Sequence, residues 1–324
     1  MEINISRFKG IHKRDYELEV VTPLFLGGAD PKKAEIRTAP FKAAIRFWWR
    51  AIYGSDNIEA MRKKESEIFG NTEKKSSLLI SVFPQLVNEK CNNLKGGKTY
   101  SVNSSKMNGP ITLRILDYLA YGLYKYNNVY RKAFINPGEK FNISLRFPSE
   151  FEEQILKAFE AMILFGGIGA KSRNGFGSLF CKDIKKTFSL SDFEKKDLNS
   201  FTSFSRASKL FDNFSERDTW QDALSDIGLI YREARLALEK KHQYERRSLI
   251  AMPIVAKGEK IPKDIEEGRH PKTYFLHVKK TENNKFKGQI LFLPYNYYIK
   301  SKMKEYEDVN DNMIKKILST RGAK

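Results

Sequence analysis

Between Tyr16 and Ile184 the apolar residues change period in a set order, and that order constrains the fold more than any single motif. Tyr16 to Thr22 (YELEVVT) alternates polar and apolar residues and stops at Pro23, the pattern of a strand with one buried face. Phe41 to Tyr53 (FKAAIRFWWRAIY) lacks Pro and Gly and repeats apolar residues at Phe41, Ile45, Trp48 and Ile52, a helical spacing. Ser77 to Phe83 reads as a strand, and Lys140 to Phe147 alternates up to Pro148. Ser149 is placed to cap a helix whose stripe runs through Phe151, Ile155, Ala158, Phe159, Met162 and Ile163, and the short strand Leu179 to Ile184 follows. Strand, helix, strand, strand, helix, strand is the split βαβ order of a ferredoxin-like or RRM-like unit. Inserted into it are a charged helix from Ile58 to Phe69 stopped by Gly70, an irregular polar stretch from Val87 to Asn108, and a further helical stretch from Ile111 to Tyr126.

Beyond this unit the pattern is less legible. Lys185 to Asp218 is rich in Ser, Lys, Asp and Phe and reads as a linker. A helix from Trp220 to Lys241, strands at Ser248 to Ala256, Thr273 to Lys280 and Lys287 to Pro294, and a helix from Asn310 to Ser319 follow. At roughly 100–200 residues per domain, the 324 residues make two α+β domains, 1–185 and 186–324.

The charge narrows the function. Lys and Arg outnumber Asp and Glu by 58 to 39, a formal charge of +19. The excess divides evenly on either side of Phe180, so it belongs to the body and not to a tail. Such a body attracts polyanions in a salt-dependent way; the plainer reading is a solubility surface. An anionic membrane surface fits less well, because no long basic amphipathic helix is evident. The first residues carry no apolar run of the signal-peptide kind, and no stretch reaches the roughly 18–20 apolar residues of a membrane span, so a cytoplasmic location is expected. Cys91 and Cys181 are far apart, and His12, His242, His270 and His277 form no closely spaced ligand set, which argues against zinc and disulfide scaffolds. No cofactor or metal is expected.

Two segments could carry binding. Gly166, Gly167, Gly169, Gly175 and Gly177 are interleaved with Lys171, Ser172, Arg173 and Asn174. Glycines let backbone N–H groups approach a phosphate, and the cations supply charge. The segment follows a helix and lacks the G-K-[ST] ending, so it is no mononucleotide loop; equally, its glycines could serve only a helix-to-strand turn. The second segment is the helix from Phe41 to Tyr53, whose stripe leaves Lys42, Arg46, Trp49, Arg50 and Tyr53 near the opposite face. A cationic face bearing an aromatic ring can track a phosphate backbone and stack a base; the alternative is a solvated face with Trp49 tucked under a loop.

Four blocks, TPLFLGGADP (Thr22 to Pro31), PFKAAIRFWWRA (Pro40 to Ala51), EIFG (Glu67 to Gly70) and GGIGAKSRNGFGS (Gly166 to Ser178), resemble in content and order the RAMP superfamily of CRISPR systems. Within it they are most similar to the tag-distal subunit family of type III-B Cmr effector complexes. The blocks cover the first domain, and the second is compatible but less diagnostic. The resemblance implies two ferredoxin-like domains and a non-catalytic RNA-binding subunit of a guide-RNA-directed complex. Such a subunit caps the tag-distal 3′ end of the guide, engages single-stranded target RNA and contacts other RAMP subunits. Phosphates are expected on Lys42, Arg46, Arg50, Lys171, Arg173 and backbone N–H groups around Gly167 and Gly175, with Ser172 and Asn174 in the same loop and Trp49 as the stacking platform.

An enzymatic reading competes with this one. Some RAMP relatives cut precursor guide RNA without metal, using a histidine, tyrosine or lysine. Here His12, His270 and His277 are the candidates, with neighbouring cations expected to depress the pKa of His270. His242 with Glu245 is too small a set for a metal, and Asp30, before Pro31, is the poorer choice for a loop acid. A basic scaffold binding structured RNA or protein would explain the charge, but not the four ordered blocks.

Overall fold

The computed structural model describes residues 10–28, 30, 33–84, 87–88, 94–104, 109–125, 129–130, 132–184, 187–254 and 260–321. The first sheet contains β1 (Ile11–Val20), β2 (Leu79–Phe83), β3 (Lys140–Pro148) and β4 (Leu179–Phe180), all antiparallel, in the spatial order β4-β1-β3-β2. Helices α1 (Thr38–Tyr53) and α3 (Glu152–Phe165) lie between these strands in sequence, with α2 (Ile58–Phe69) after α1. Alternation does what the pattern requires: Phe141, Ile143, Leu145 and Phe147 of β3 are buried with Leu18 and Val20 of β1. Against them pack Phe41, Ile45, Trp48 and Ile52 of α1 and Ile155, Phe159 and Met162 of α3.

A second sheet is built from β5 (Lys209–Phe211), β6 (Tyr274–Lys280) and β7 (Phe286–Phe292), antiparallel in the order β5-β7-β6. It is covered by α4 (Trp220–Leu236) and α5 (Met303–Arg321), which bury Leu224, Ile227, Tyr231, Tyr306, Val309 and Met313 against Tyr274, Leu276, Ile290 and Phe292. Gly288 lets α4 approach β7 closely, since a Cβ there would lie 2.5 Å from Ile227. Each core also takes side chains from the other half of the chain. Phe275, Leu291 and Leu293 join the first, and Val21, Phe25, Leu116 and Phe176 join the second.

Four expected elements take another form. Ile111 to Tyr126 is not one helix: Gly109–Arg114 pairs with Thr99–Ser104 as a hairpin, and among the described residues of the stretch only Ile115–Leu119 is helical. The β-branched Ile111 and Thr112 favour the strand, and residues 105–108, inside the expected polar insertion, lie outside the described residues. Ser149 makes no side-chain cap; it sits in a one-turn 3-10 segment and its N–H donates to Gly10 O at 2.8 Å. The stretch read as a linker is packed structure, because Phe188, Phe193 and Phe204 stack on one another and reach Phe165, with Phe204 also on Trp48. Within the described part of the expected strand at Ser248 to Ala256, Ser248 ends a helical turn that begins at Glu245, Met252 forms a single bridge with His270 and the remainder is irregular; 255–259 lie outside the described residues.

Candidate nucleic-acid interface

The glycine-rich segment after α3 is tied down on both sides. Thr22 Oγ1 donates to Gly175 O at 2.8 Å and accepts from Ser178 N at 2.9 Å, while Gly177 N donates to Pro23 O at 3.0 Å. On the other side Leu276 N donates to Arg173 O at 3.1 Å, and His277 Nδ1–H to Gly166 O at 2.6 Å. The segment thus bridges β1 and β6. Its glycines are needed by close approach: Gly169 has φ +85° and a Cβ would lie 2.4 Å from Phe25 O, and Gly177 has φ +69° with Ile168 O at 2.0 Å.

This anchoring brings the loop against α1. Gly167, Ser172 and Arg173 line a cleft of about 340 Å³ together with Ala43, Phe47 and Trp48. The next depression along α1, about 510 Å³, is lined by Lys42, Arg46, Phe47 and Arg50. The two depressions adjoin at Ala43 and Phe47, with Gly167, Ser172 and Arg173 in one and Lys42, Arg46 and Arg50 in the other. Lys171, at φ +62°, is half-buried, and burial lowers its pKa.

Other predicted residues face inward. Trp49 is 1% exposed and its indole N–H donates to Gln154 Oε1 at 2.9 Å, so it offers no ring to a base. The apolar stripe of α1 is wider than a single row, because α2 closes over that side and Phe69 packs edge-on against Trp49. The exposed aromatic edge belongs instead to Phe47, at steps of four and three from Ala43 and Arg50, a spacing that could have been read from the sequence. Asn174 spends its side chain on Leu119 O and Lys272 Nζ, at 2.7 and 2.8 Å. Gly175 N donates to Ser172 O at 3.2 Å, and its φ of +88° accommodates Leu224, so that N–H is not turned toward a ligand.

The electrostatics favour an anion. Arg173 stacks on Phe275 and Phe47, 4.6 and 5.2 Å from the ring centroids, and burial draws its pKa down to about 10. Behind it Lys272 reaches Arg173 O and Asn174 Oδ1. Burial holds its pKa well below the usual lysine value, and the charges of Arg235, Arg173 and Lys171 push it the same way. A phosphate beside such a cluster would offset the repulsion among these positive charges. On α1 the cations are partly compensated: Glu65, 2% exposed, accepts from Arg46 Nε and, at 2.7 and 2.6 Å, from Arg50 Nε and Nη2.

The candidate histidines occupy three different settings. His270 is buried, with Nε2–H on Ser248 O and Nδ1 accepting from Tyr295 OH at 3.0 Å; burial, rather than the expected cations, leads the fall in its pKa. His277 is 1% exposed and burial drives its pKa to about 3. His12 pairs with Glu152 Oε2 at 2.6 Å on the sheet edge. Among the described residues no group of three His, Cys, Asp or Glu side chains is placed to hold a metal, and no helix is long and apolar enough to cross a membrane.

The fold and this cleft define a class. The family model of the RAMP superfamily matches residues 17–180, the stretch that contains α1 and the glycine-rich loop, and the chain belongs to that superfamily. Within it the chain groups with Cmr1 proteins. It is 32% identical over 182 residues to the CRISPR system Cmr subunit Cmr1-2 of Pyrococcus furiosus, a match covering 51% of this chain and 92% of that protein. It is 28% identical over 180 residues to Cmr1-1 of the same organism, covering 51% of this chain but only 46% of that longer protein. The apo crystal structure of Pyrococcus furiosus Cmr1 superposes with a TM-score of 0.54 at 17% identity, covering 94% of this chain and 96% of the other. A chain of a type III-B Cmr-beta complex, solved with cognate target RNA and AMPPnP in the presence of ssDNA, gives 0.55 at 14% identity, covering 94% and 99%. These two likenesses establish a shared mixed α/β fold with antiparallel sheets.

Proposed function

We propose that this chain is an RNA-binding, non-catalytic subunit of a type III-B Cmr ribonucleoprotein effector complex in the cytoplasm. In this reading it caps the tag-distal 3′ end of the guide RNA, engages single-stranded target RNA and packs against other RAMP subunits. One observation carries the reading: the glycine-rich loop is fastened so that the depression lined by Ser172 and Arg173 adjoins, at Ala43 and Phe47, the one lined by Lys42, Arg46 and Arg50, and together they form a groove along α1. Support comes from the relatives, which are Cmr subunits, and from the similarly folded chain of a complex holding cognate target RNA. The architecture belongs to the same proposal. Residues 1–185 and 186–324 are two ferredoxin-like domains, the first with its four strands in the order β4-β1-β3-β2, the second with β5, α4, β6, β7 and α5 repeating that plan without a fourth strand. Base pairing with the guide reads the sequence, so the groove contacts backbone and ring faces.

The test is fluorescence anisotropy of the full chain with single-stranded RNA and its DNA counterpart over a salt series, each sample then run on a denaturing gel. Binding should weaken linearly in log–log form with salt. At about 0.7 of slope per phosphate contact, the Lys42→Gln, Arg46→Gln, Lys171→Gln triple variant should lower the slope by about 2. An unchanged slope would remove these residues from the path, and discrete metal-independent cleavage would overturn the non-catalytic assignment.

A further inference from the structure

Beyond the groove, α1 borders a second cavity of about 530 Å³ that no part of the reading above uses. Arg50 and Arg173 are shared with the groove, while Tyr298, Phe201, Thr202 and Arg269 line the far side. Its size falls in the range of small-ligand sites, and its lining mixes aromatic faces with a few polar groups. Tyr298 is 57% exposed at its mouth and leans on Tyr297 at 4.8 Å, so its ring serves no core. Thr202 is buried on the cavity wall, yet its hydroxyl has no hydrogen-bond partner among the described residues. His270, held between Ser248 O and Tyr295 OH, forms a rigid polar wall.

We propose that this cavity receives one unstacked nucleobase of a single-stranded RNA whose phosphates run along α1. The inference rests on the RNA-binding reading and adds to it a specific pocket. Aromatic rings tolerate any base, because every base has a π-face. The cations at the rim, Arg50, Arg173 and Arg269, suit the phosphates on either side of an extruded nucleotide.

The experiment uses the full chain and an oligouridylate carrying a single 2-aminopurine moved along its length. Anisotropy reports binding, and 2-aminopurine emission reports its surroundings. One position should show a distinct emission change. Tyr298→Ala, at an exposed site, should abolish that change and weaken binding roughly tenfold or more; Tyr298→Phe, which keeps the ring, should retain both the signal and the affinity. Wild-type binding with no position-specific signal, and full affinity in Tyr298→Ala, would overturn the pocket while leaving RNA binding along α1 intact. Absence of RNA binding by the wild type would overturn both. Adenosine monophosphate that binds the cavity and is not displaced by RNA would make it a free-nucleotide site and overturn the assignment to RNA.

Discussion

Glu65 is the residue on which the α1 cations depend. Burial alone would raise its pKa, but hydrogen bonds from Arg50 and Arg46 outweigh burial and hold it below the usual value. Both arginines are about 40% exposed, so solvent discounts the pair. Glu65→Gln should therefore cost about 1–2 kcal/mol, read as a lower urea midpoint, and should strengthen RNA binding at low salt by releasing the guanidinium groups. Weaker binding in a folded variant would mean that Glu65 positions the arginines instead of masking them. His277 sets a pH limit. Its folded pKa near 3 lies below the usual value of 6.5, so the unfolded chain binds the proton more readily between those values. Its contribution is complete above about 6.5 and is lost as pH falls toward 3. A His277→Gln variant should show a shallower loss of stability across that window, followed by urea denaturation at several pH values; an identical slope would exclude His277 as a cause.

Among the elements, the glycine-rich segment and α1 make the groove, and each does so by a close approach. Gly177 packs its α-carbon on Ile168 O at positive φ, so Gly177→Ala should cost about 1–3 kcal/mol through strain and collision and should loosen the hold of the loop on α1. The expected result is a lower thermal midpoint with reduced RNA affinity; a stability loss with full affinity would show that the loop geometry does not govern binding. The helical stripe of α1 and the alternation of β3 were legible because period follows burial on one face. Trp49 was misread because a second layer, α2, covers a face that one helix considered alone presents to solvent. Phe188, Phe193 and Phe204 were misread for the converse reason. In a Ser- and Lys-rich stretch they show no period, yet they bury rings against Trp48 and Phe165.

At the scale of the whole molecule, a buried cation cluster links the loop after α3 to the segment before β6. Lys272, from the segment before β6, meets Arg173 and Asn174 of the loop after α3. Because burial and, with it, neighbouring positive charge hold its pKa low, a phosphate nearby should raise that pKa, so RNA binding should take up protons between the lowered value and the usual 10.5. Affinity should then fall as pH rises through that interval. Titration calorimetry at one alkaline pH in two buffers of different ionisation enthalpy reads the uptake directly, and Lys272→Met should abolish it. No difference between the buffers would place the phosphates away from Lys272.

From the sequence alone came the order of strands and helices in the first unit, the body-wide positive charge and the four blocks that point to the RAMP superfamily, since each is carried by residues close together in the chain. Lys42, Arg46, Arg50 and Arg173 were legible as cations for the same reason. Only the tertiary structure decided which of them share a groove, that Trp49, Asn174 and Gly175 turn inward, and that Thr202, Lys272 and Tyr298 belong near the site. Those facts depend on contacts between residues from about twenty to more than a hundred positions apart. No local period encodes which face of an element a distant segment will cover.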